Sequence, residues 1–200
     1  MKYDTSIYRG VFCALNAIYD ENDNINTDAI KALVTKYKQL GVNGIYACGS
    51  TGEGFLLSTE ERMQVAEAVK EAAGDDMAVI VHVGAASTKE ACILARHAEK
   101  IGVSAVSAVP SVYYRLSEAS IEKHWDTIMD STELPFFIYN IPQLTGYDLS
   151  FELFEKMAKG HENDPERGPR CAKCFRLRLE ETAKYAKEGT YDYFCTTLSI

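Results

Sequence analysis

The feature that most constrains this chain is a regular alternation between short apolar runs and amphipathic helical patterns. The five apolar runs span residues 10–14, 45–48, 77–83, 105–109 and 136–139. A helical pattern follows each run, over residues 28–40, 59–73, 88–101, 117–130 and 150–159. Strands that are apolar throughout are typical of a parallel sheet whose two faces are both covered. The alternation therefore predicts the α/β class, with one βα unit about every 30 residues.

Two parallel-sheet architectures fit this alternation, an open doubly wound sheet and part of a (β/α)8 barrel. A dinucleotide-binding doubly wound sheet is disfavoured, because no Gly-x-Gly-x-x-Gly follows the first predicted strand. Barrels draw their chemistry from the carboxyl ends of several strands. This chain has polar residues at those ends: Ser50, Thr51, Tyr113, Tyr114, Tyr139 and Asn140. We therefore predict an incomplete (β/α)8 TIM barrel of about five βα units, which cannot close and leaves a free edge.

Polar residues and glycines mark where the predicted helices begin and end. Helix starts are predicted at Ser, Thr and Asn residues that are typical of N-caps: Asn26, Thr27, Thr59, Ser87 and Thr88. Gly41 is predicted to end the first helix in a left-handed conformation. One face of that helix is apolar and is predicted to meet the core: Leu33, Val34, Tyr37 and Leu40.

The composition is that of a folded globular protein with an excess of acidic residues. The 200 residues are 46% hydrophobic and 25% charged, with a formal net charge of −8 at pH 7. Such a chain repels a nucleic-acid backbone on average. No signal sequence follows the N-terminus and no apolar run has the length needed to cross a bilayer, so we predict a cytoplasmic protein with no membrane partner. The isolated Cys13, Cys48 and Cys92 are predicted to be small buried hydrophobes without disulfides.

The loop Gly49-Ser50-Thr51-Gly52-Glu53 is the strongest candidate for a binding site. Its glycines let a ligand approach the backbone, and its hydroxyl and N–H groups donate to a carboxylate or phosphate. The helix that follows adds its positive end. A Gly-Ser-Thr-Gly segment also occurs in ordinary turns, so the loop alone leaves both interpretations open.

Three motifs on successive predicted strands carry a family resemblance. Gly49-Ser50-Thr51-Gly52-Glu53, Tyr113-Tyr114 and Tyr139-Asn140-Ile141-Pro142 resemble the N-acetylneuraminate lyase and dihydrodipicolinate synthase family, over residues 1–159. The resemblance implies a (β/α)8 barrel, usually a homotetramer, that works without a cofactor. Catalysis in that family passes through a Schiff base between a lysine and the keto carbon of pyruvate or a sialic acid.

The same resemblance implies roles for individual residues. Ser50, Thr51 and Gly52 would bind the pyruvoyl carboxylate with hydroxyl and backbone donors. Tyr139 would shuttle protons, which requires a neighbouring cation or hydrogen-bond donor because a free phenol has a pKa near 10. Tyr113 or Tyr114 resembles the tyrosine that this family lends across a subunit interface, and the sequence leaves the choice between them open.

Two departures from the family pattern shape the functional prediction. Synthases that use aspartate semialdehyde commonly carry an arginine after the proline, whereas residues 143–145 are Gln-Leu-Thr here, which favours the sialic-acid lyase branch. The Schiff-base lysine is expected in a Gly-apolar-Lys-polar-Ser/Thr context, but residues 160–169 are polar and rich in breakers. Lys156, Lys159 and Lys173 are predicted to be solvated, so we predict a lyase barrel without lyase activity.

Residues 160–200 resemble a second family and are predicted to form a separate Cys-x-x-Cys helix-strand segment. The Cys171-x-x-Cys174 pair, its helix and the strand pattern of residues 191–199 are similar to the iron-sulfur epoxyqueuosine reductases of tRNA queuosine biosynthesis. A [4Fe-4S] cluster takes four sulfur ligands, and this chain lacks the N-terminal Cys-Cys pair of that family. Cys171 and Cys174 are therefore predicted to be half of an iron-sulfur or zinc site, with metal bound in trans or incidental cysteines as alternatives.

Three functions follow from these patterns. The first is a class I lyase that cleaves N-acetylneuraminate to pyruvate and N-acetylmannosamine, inactive without its lysine. The second is a fragment of an epoxyqueuosine reductase, the only alternative in which tRNA is a partner. The third is a non-catalytic module that binds a 2-keto acid or sialic acid through its carboxylate.

Overall fold

Five parallel strands form one sheet in the computed structural model, which describes residues 5–146 and 149–158. The strands are β1 (Phe12–Ala14), β2 (Gly44–Ala47), β3 (Ala78–His82), β4 (Ala105–Ala108) and β5 (Phe136–Ile138). They lie in chain order, and each pairs in parallel with the next. A doubly wound sheet would reverse its strand order, whereas a barrel keeps it. The sheet confirms the α/β class and the partial TIM barrel, and β1 and β5 are its outermost strands within the described residues.

Helices follow the strands along the chain, as the sequence predicts. They are α1 (Thr27–Gln39), α2 (Thr59–Ala73), α3 (Thr88–Lys100), α4 (Glu118–Met129), α5 (Pro142–Thr145) and α6 (Phe151–Ala158). Five of the six were predicted, each to within about one residue at either end. The one-turn α5 and a 3-10 helix over Thr5–Tyr8 were not predicted, because so few residues carry no periodic signal.

The helix N-termini confirm one predicted cap and correct another. Asn26 caps α1, and its side chain accepts a backbone hydrogen bond from the first turn at 3.0 Å. The prediction for α2 is wrong by one residue: Ser58, not Thr59, is the N-cap, and it forms a capping box with Glu61. Ser87 stands at the N-cap of α3 but makes no capping hydrogen bond with its side chain. The capping box of α2 fixes the point where the candidate binding loop joins its helix.

The two faces of the sheet differ in what covers them. Alternate residues of a strand point to opposite faces. In β3, Val79 and Val81 belong to the larger apolar cluster, which includes buried residues of all the long helices from α1 to α4. Ala78 and Ile80 belong instead to a smaller cluster with Phe12 and Ala105. The outer face therefore packs against helices, and the smaller cluster lies on the inner face of the partial barrel.

The 3-10 helix covers the amino-terminal end of the inner face. Tyr8 packs against the smaller cluster, and its ring meets that of Phe137 edge-on at a centroid distance of 5.1 Å. Its hydroxyl donates a hydrogen bond to the Ser104 carbonyl. With its amino-terminal end occupied in this way, the inner face carries its polar side chains at the carboxyl end.

Two smaller predictions have mixed outcomes. On α1, Val34 is buried, and Leu33 and Tyr37 are partly buried, as predicted. The prediction that Leu40 meets the core is wrong, because Leu40 follows the helix and is 66% exposed. Cys48 and Cys92 are buried free thiols as predicted, whereas the free thiol Cys13 is only half-buried. Within residues 5–146 and 149–158, no helix is both long and apolar enough to cross a membrane.

Candidate functional site

The carboxyl end of the sheet brings two predicted site residues together. Ser50 follows β2 and Tyr139 follows β5, and the Ser50 hydroxyl lies 3.4 Å from the Tyr139 hydroxyl although 89 residues separate them. Tyr139 continues the strand ladder, since its N–H donates to the Ala108 carbonyl at 3.0 Å. Both residues are partly buried. The contact joins two strands that are not neighbours, so it crosses the mouth of the partial barrel.

The loop after β2, residues 48–57, is a compact turn that we call the β2 loop. Glu53 N–H donates to the Ser50 carbonyl and Gly54 N–H to the Gly49 carbonyl, each at 3.1 Å. A Cβ on Gly54 would lie 1.9 Å from the Cys48 carbonyl oxygen, and one on Gly52 would lie 2.6 Å from the Leu15 carbonyl oxygen. Glycine is required at both positions because backbone approaches them so closely. The turn interpretation is therefore confirmed, and Ser50 and Thr51 of this turn stay candidates for ligand binding.

Thr51 and Gly52 follow Ser50 in the β2 loop. The Thr51 carbonyl accepts a hydrogen bond from the Asn16 side-chain amide at 3.3 Å, which ties the β2 loop to the loop after β1. Thr51 is partly buried and Gly52 is fully buried. Consecutive hydroxyls and tightly turned N–H groups are the donor set that a carboxylate accepts from.

Two aromatic side chains behind the loop contact the Tyr139 ring. Tyr46, at an inner-face position of β2, meets it edge-on at a centroid distance of 5.7 Å. The Tyr46 hydroxyl forms a hydrogen bond of 2.7 Å with the Ser107 hydroxyl on β4. Burial raises the pKa of Tyr46 well above its ordinary value, so this phenol stays neutral and acts as a support. The second ring is that of His82, 5.8 Å away at an interplanar angle of 86°.

His82 ends β3 and is a residue that our sequence reasoning missed. It continues the inner-face series of Ala78 and Ile80, and only 2% of it is exposed. Its Nε2 accepts a hydrogen bond from the Val109 N–H at 3.3 Å, so the ring proton resides on Nδ1. Burial, and secondarily the Arg62 cation, lowers the pKa of His82 to about 3. The sequence signal that could have identified His82 is a polar residue at the carboxyl end of an otherwise apolar strand.

Arg62 on α2 is the second missed residue. It is 3% exposed, and its guanidinium donates to the His82 carbonyl at 2.7 Å and to the Gly84 carbonyl at 3.0 Å. The Cys48 thiol contacts the Arg62 carbonyl at 3.6 Å, and burial raises the pKa of that thiol to about 11. Arg62 therefore joins the end of β3 to the start of the β2 loop. The sequence signal that could have identified Arg62 is its position on the same helical face as the apolar residues Ala66 and Val69.

The loop after β4, residues 109–116, carries the two candidate interface tyrosines and is called the β4 loop. Tyr113 is 89% exposed and Tyr114 is 73% exposed. Their rings contact each other edge-on at 4.8 Å. Tyr113 has a φ of 83°, which is unusual for a bulky residue. Such exposure sets Tyr113 apart from the buried groups behind Ser50 and Tyr139.

The lysine and cysteine predictions have different outcomes. Lys156 is 62% exposed in its side chain and forms an ion pair of 2.6 Å with Glu122, which confirms the prediction that it is a surface lysine. The hydrogen bond and charge of Glu122 raise the pKa of Lys156, the reverse of what an imine-forming amine needs. Lys159, Lys173, Cys171 and Cys174 lie outside the described residues. No group of His, Cys, Asp and Glu arranged to hold a metal ion occurs in the part of the chain that the structure describes.

A family model and several known proteins match the chain over the same region as this fold. The model of the dihydrodipicolinate synthetase family matches residues 7–163. The N-acetylneuraminate lyase of Mediterraneibacter gnavus is 40% identical over 153 residues, which are 76% of this chain and 49% of that protein. This chain spans about half the length of the curated relatives it matches.

Solved structures agree with the sequence comparison. A catalytic lysine mutant of the Ruminococcus gnavus sialic acid aldolase superposes with a TM-score of 0.76 at 39% identity, covering 78% of this chain and 52% of that one. The Clostridium difficile protein CdNal in complex with mannosamine gives a TM-score of 0.72 at 34% identity, covering 74% and 52%. The family match ends at residue 163, and these comparisons give no support to an epoxyqueuosine reductase segment at residues 160–200.

Proposed function

Because the chain belongs to the dihydrodipicolinate synthetase family, we propose that its described residues form the 2-keto-acid-binding part of an active site of the N-acetylneuraminate lyase type. The observation that carries this proposal is the 3.4 Å contact between the Ser50 and Tyr139 hydroxyls. It unites the hydroxyl of a carboxylate-binding loop with the phenol of a proton shuttle at the carboxyl end of the sheet, where barrels carry out their chemistry.

Each residue takes a role that suits its chemistry. Ser50 and Thr51 donate hydrogen bonds to the pyruvoyl carboxylate, and the close-packed backbone at Gly52 keeps the loop in shape for it. Tyr139 shares a proton with the Ser50 hydroxyl and takes the position of the proton shuttle in the imine chemistry of this family. The preference for sialic acid over aspartate semialdehyde rests on Gln143, which stands where the synthases carry arginine, and on the lyases among the relatives.

We further propose that the 200 residues bind a 2-keto acid without forming the imine. An imine requires a neutral amine that attacks the keto carbon and expels water, and hence a lysine whose pKa is lowered in a desolvated pocket. Lys156 has a raised pKa and an acidic partner. No Gly-apolar-Lys-polar-Ser/Thr segment occurs among residues 160–200.

Tyr113, rather than Tyr114, is proposed as the tyrosine that reaches a second copy of the chain. A positive φ costs a non-glycine residue about 1–3 kcal/mol and persists where something compensates for it. Tyr113 carries that strain at 83° and is the more exposed of the two. An assembled homotetramer is the corresponding proposal for the oligomeric state.

Two measurements on the full 200-residue chain test the binding role and the missing imine separately. Calorimetry with pyruvate should detect binding that survives Tyr139→Phe and disappears in the double variant Ser50→Ala with Thr51→Ala. Borohydride treatment in the presence of pyruvate should leave the mass of the protein unchanged. Absence of heat with the unaltered chain would refute the binding role, whereas a reduced pyruvyl adduct on any lysine would refute the claim that the imine does not form.

A further inference from the structure

His82 contacts several parts of the candidate site, although the proposed function gives it no role. Its Nε2 is tied to the backbone of Val109, directly after β4. Its carbonyl is held by Arg62 from α2. Its ring contacts Tyr139 after β5 and, at 5.7 Å, the ring of Phe55 in the β2 loop. One side chain thus connects β3 with the ends of β4 and β5 and with the binding loop.

The His82 ring lies on the inner face of the sheet and is held there in one orientation. Its burial excludes water, and the Val109 N–H binds one nitrogen. The other nitrogen, Nδ1, faces the backbone of Cys48 at the start of the β2 loop. A ring that meets backbone on two sides in this way keeps one orientation, so it can take the role of a fixed support for a neighbouring side chain.

The contact with Tyr139 supplies such a role. The histidine and tyrosine rings meet at 86°, an edge-to-face arrangement that prefers one orientation of the phenol. The Tyr139 hydroxyl must stay within reach of Ser50 if the two are to share a proton, and that distance is already 3.4 Å. A small rotation of the phenol would separate the two hydroxyls.

We propose that His82 is a positioning residue that holds the Tyr139 ring so that its hydroxyl faces Ser50. This inference rests on the proposed function, because it assigns a purpose to the Ser50 and Tyr139 contact. His82 acts through its ring packing, while its hydrogen bond to Val109 fixes the ring in place.

Two substitutions separate the ring from the hydrogen bond. His82→Gln keeps an acceptor for the Val109 N–H and removes the ring. His82→Phe keeps a ring and leaves the Val109 N–H unpaired. Val81→Ala is the matched control, because Val81 is the preceding residue of β3 and packs on the opposite face, against the helices.

The readout is fluorine NMR of the full chain labelled with 3-fluorotyrosine. The chain has 12 tyrosines, and the Tyr139 resonance is identified by its absence in Tyr139→Phe. His82→Gln should move that resonance by more than a linewidth, or broaden it, in the absence of ligand. His82→Phe and Val81→Ala should keep the resonance within a linewidth of its position in the unaltered chain, even though both lower the melting temperature.

The proposal is overturned if His82→Gln leaves the Tyr139 resonance in place, or if His82→Phe and Val81→Ala displace it equally. A variant that does not fold is recognised by its melting curve, and the comparison then moves to the milder pair His82→Tyr, which keeps a ring, and His82→Asn, which does not. Failure of the unaltered chain to bind pyruvate would refute the proposed function alone, since the resonance without ligand still reports whether His82 positions Tyr139.

Discussion

The β2 loop and the β4 loop lie at the same end of the sheet, and each contains strained backbone, but they differ in what surrounds it. In the β2 loop, Cys48 and Glu53 have φ values of 58° and 51°; Cys48 is buried and Glu53 is exposed. In the β4 loop, Tyr113 has a φ of 83° and is almost fully exposed.

This difference separates two kinds of functional loop. The β2 loop compensates its strain within the chain, through the hydrogen bond between Gly54 and Gly49 and through contacts that only glycine permits. The exposed strain at Tyr113 suits a residue whose compensating contact comes from a second molecule, as the proposed assembly requires. Under the proposed function, one loop is a preformed binding element, and the other is a surface for contact with a second molecule.

The largest expected effect is that of Gly54→Ala in the β2 loop. The new methyl group would lie 1.9 Å from the Cys48 carbonyl oxygen, so the loop backbone must move. We expect a loss of at least about 3 kcal/mol in the free energy of unfolding and loss of pyruvate binding. Urea denaturation and calorimetry measure the two quantities.

Gly41→Ala is the matched control for that substitution. Gly41 has a φ of 79°, but a Cβ there meets nothing within 4 Å, so only the conformational cost of about 1 kcal/mol is expected. Equal losses for the two variants would show that crowding does not shape the β2 loop.

A second, smaller effect is expected for Arg62→Met, which removes the support beneath the β2 loop. The substitution leaves the carbonyls of His82 and Gly84 without their buried donor. We expect a loss of about 2–4 kcal/mol by urea denaturation. Lys31→Met, which breaks the ion pair of a half-buried lysine with the exposed Glu71, should cost less than about 1 kcal/mol. If both variants lose the same amount, the guanidinium does not support the loop.

Acid pH should destabilise the chain through its buried histidines. The pKa of His82 is about 3 in the folded chain, and burial also lowers that of His124, which contacts Thr88 through Nδ1 at 2.8 Å. The unfolded chain binds protons to both below about pH 6.5, so the stability that the neutral histidines contribute is fully present above that pH. The contribution of His82 is lost as pH falls toward 3, with a slope that approaches about 1.4 kcal/mol per pH unit below about pH 6, and His124 changes stability in the same direction.

Urea denaturation at about pH 7.5 and about pH 5.5 measures this loss, which should be about 1.4 kcal/mol over the two pH units for His82. His124→Gln should reduce this loss and keep pyruvate binding, because His124 lies on α4 and contacts Thr88 on α3. A stability that stays constant down to pH 5.5 would contradict the neutral, buried state of both histidines.

The sequence predicts the strands, the long helices and the candidate residues, but not the contacts between those residues. The strands and long helices follow from periodic burial, which local patterns record. Ser50 and Tyr139 could be named because motifs at strand ends identify them. Their 3.4 Å contact could not, because it depends on how far the sheet curves over 89 residues.

The support behind the site was harder to predict than the site itself. His82 and Arg62 occupy positions that apolar residues usually fill, and hydrogen bonds to backbone carbonyls and N–H groups stabilise them there. Backbone partners leave no residue-type signature in a sequence, so a pattern of side chains does not reveal them. The choice between Tyr113 and Tyr114 likewise depended on a backbone angle that no side-chain pattern records.

The smallest effect on stability is expected for Tyr113→Gly, and it is the sharpest test of the contrast between the loops. Glycine relieves a positive φ but loses more conformational entropy on folding, so the two contributions should cancel to within about 1 kcal/mol. Self-association, measured by sedimentation velocity, should weaken in Tyr113→Gly and stay nearly unchanged in Tyr114→Gly. If Tyr113→Gly instead lowers the free energy of unfolding by more than about 2 kcal/mol, contacts within the chain compensate the strain in the β4 loop, and the two loops do not differ in kind.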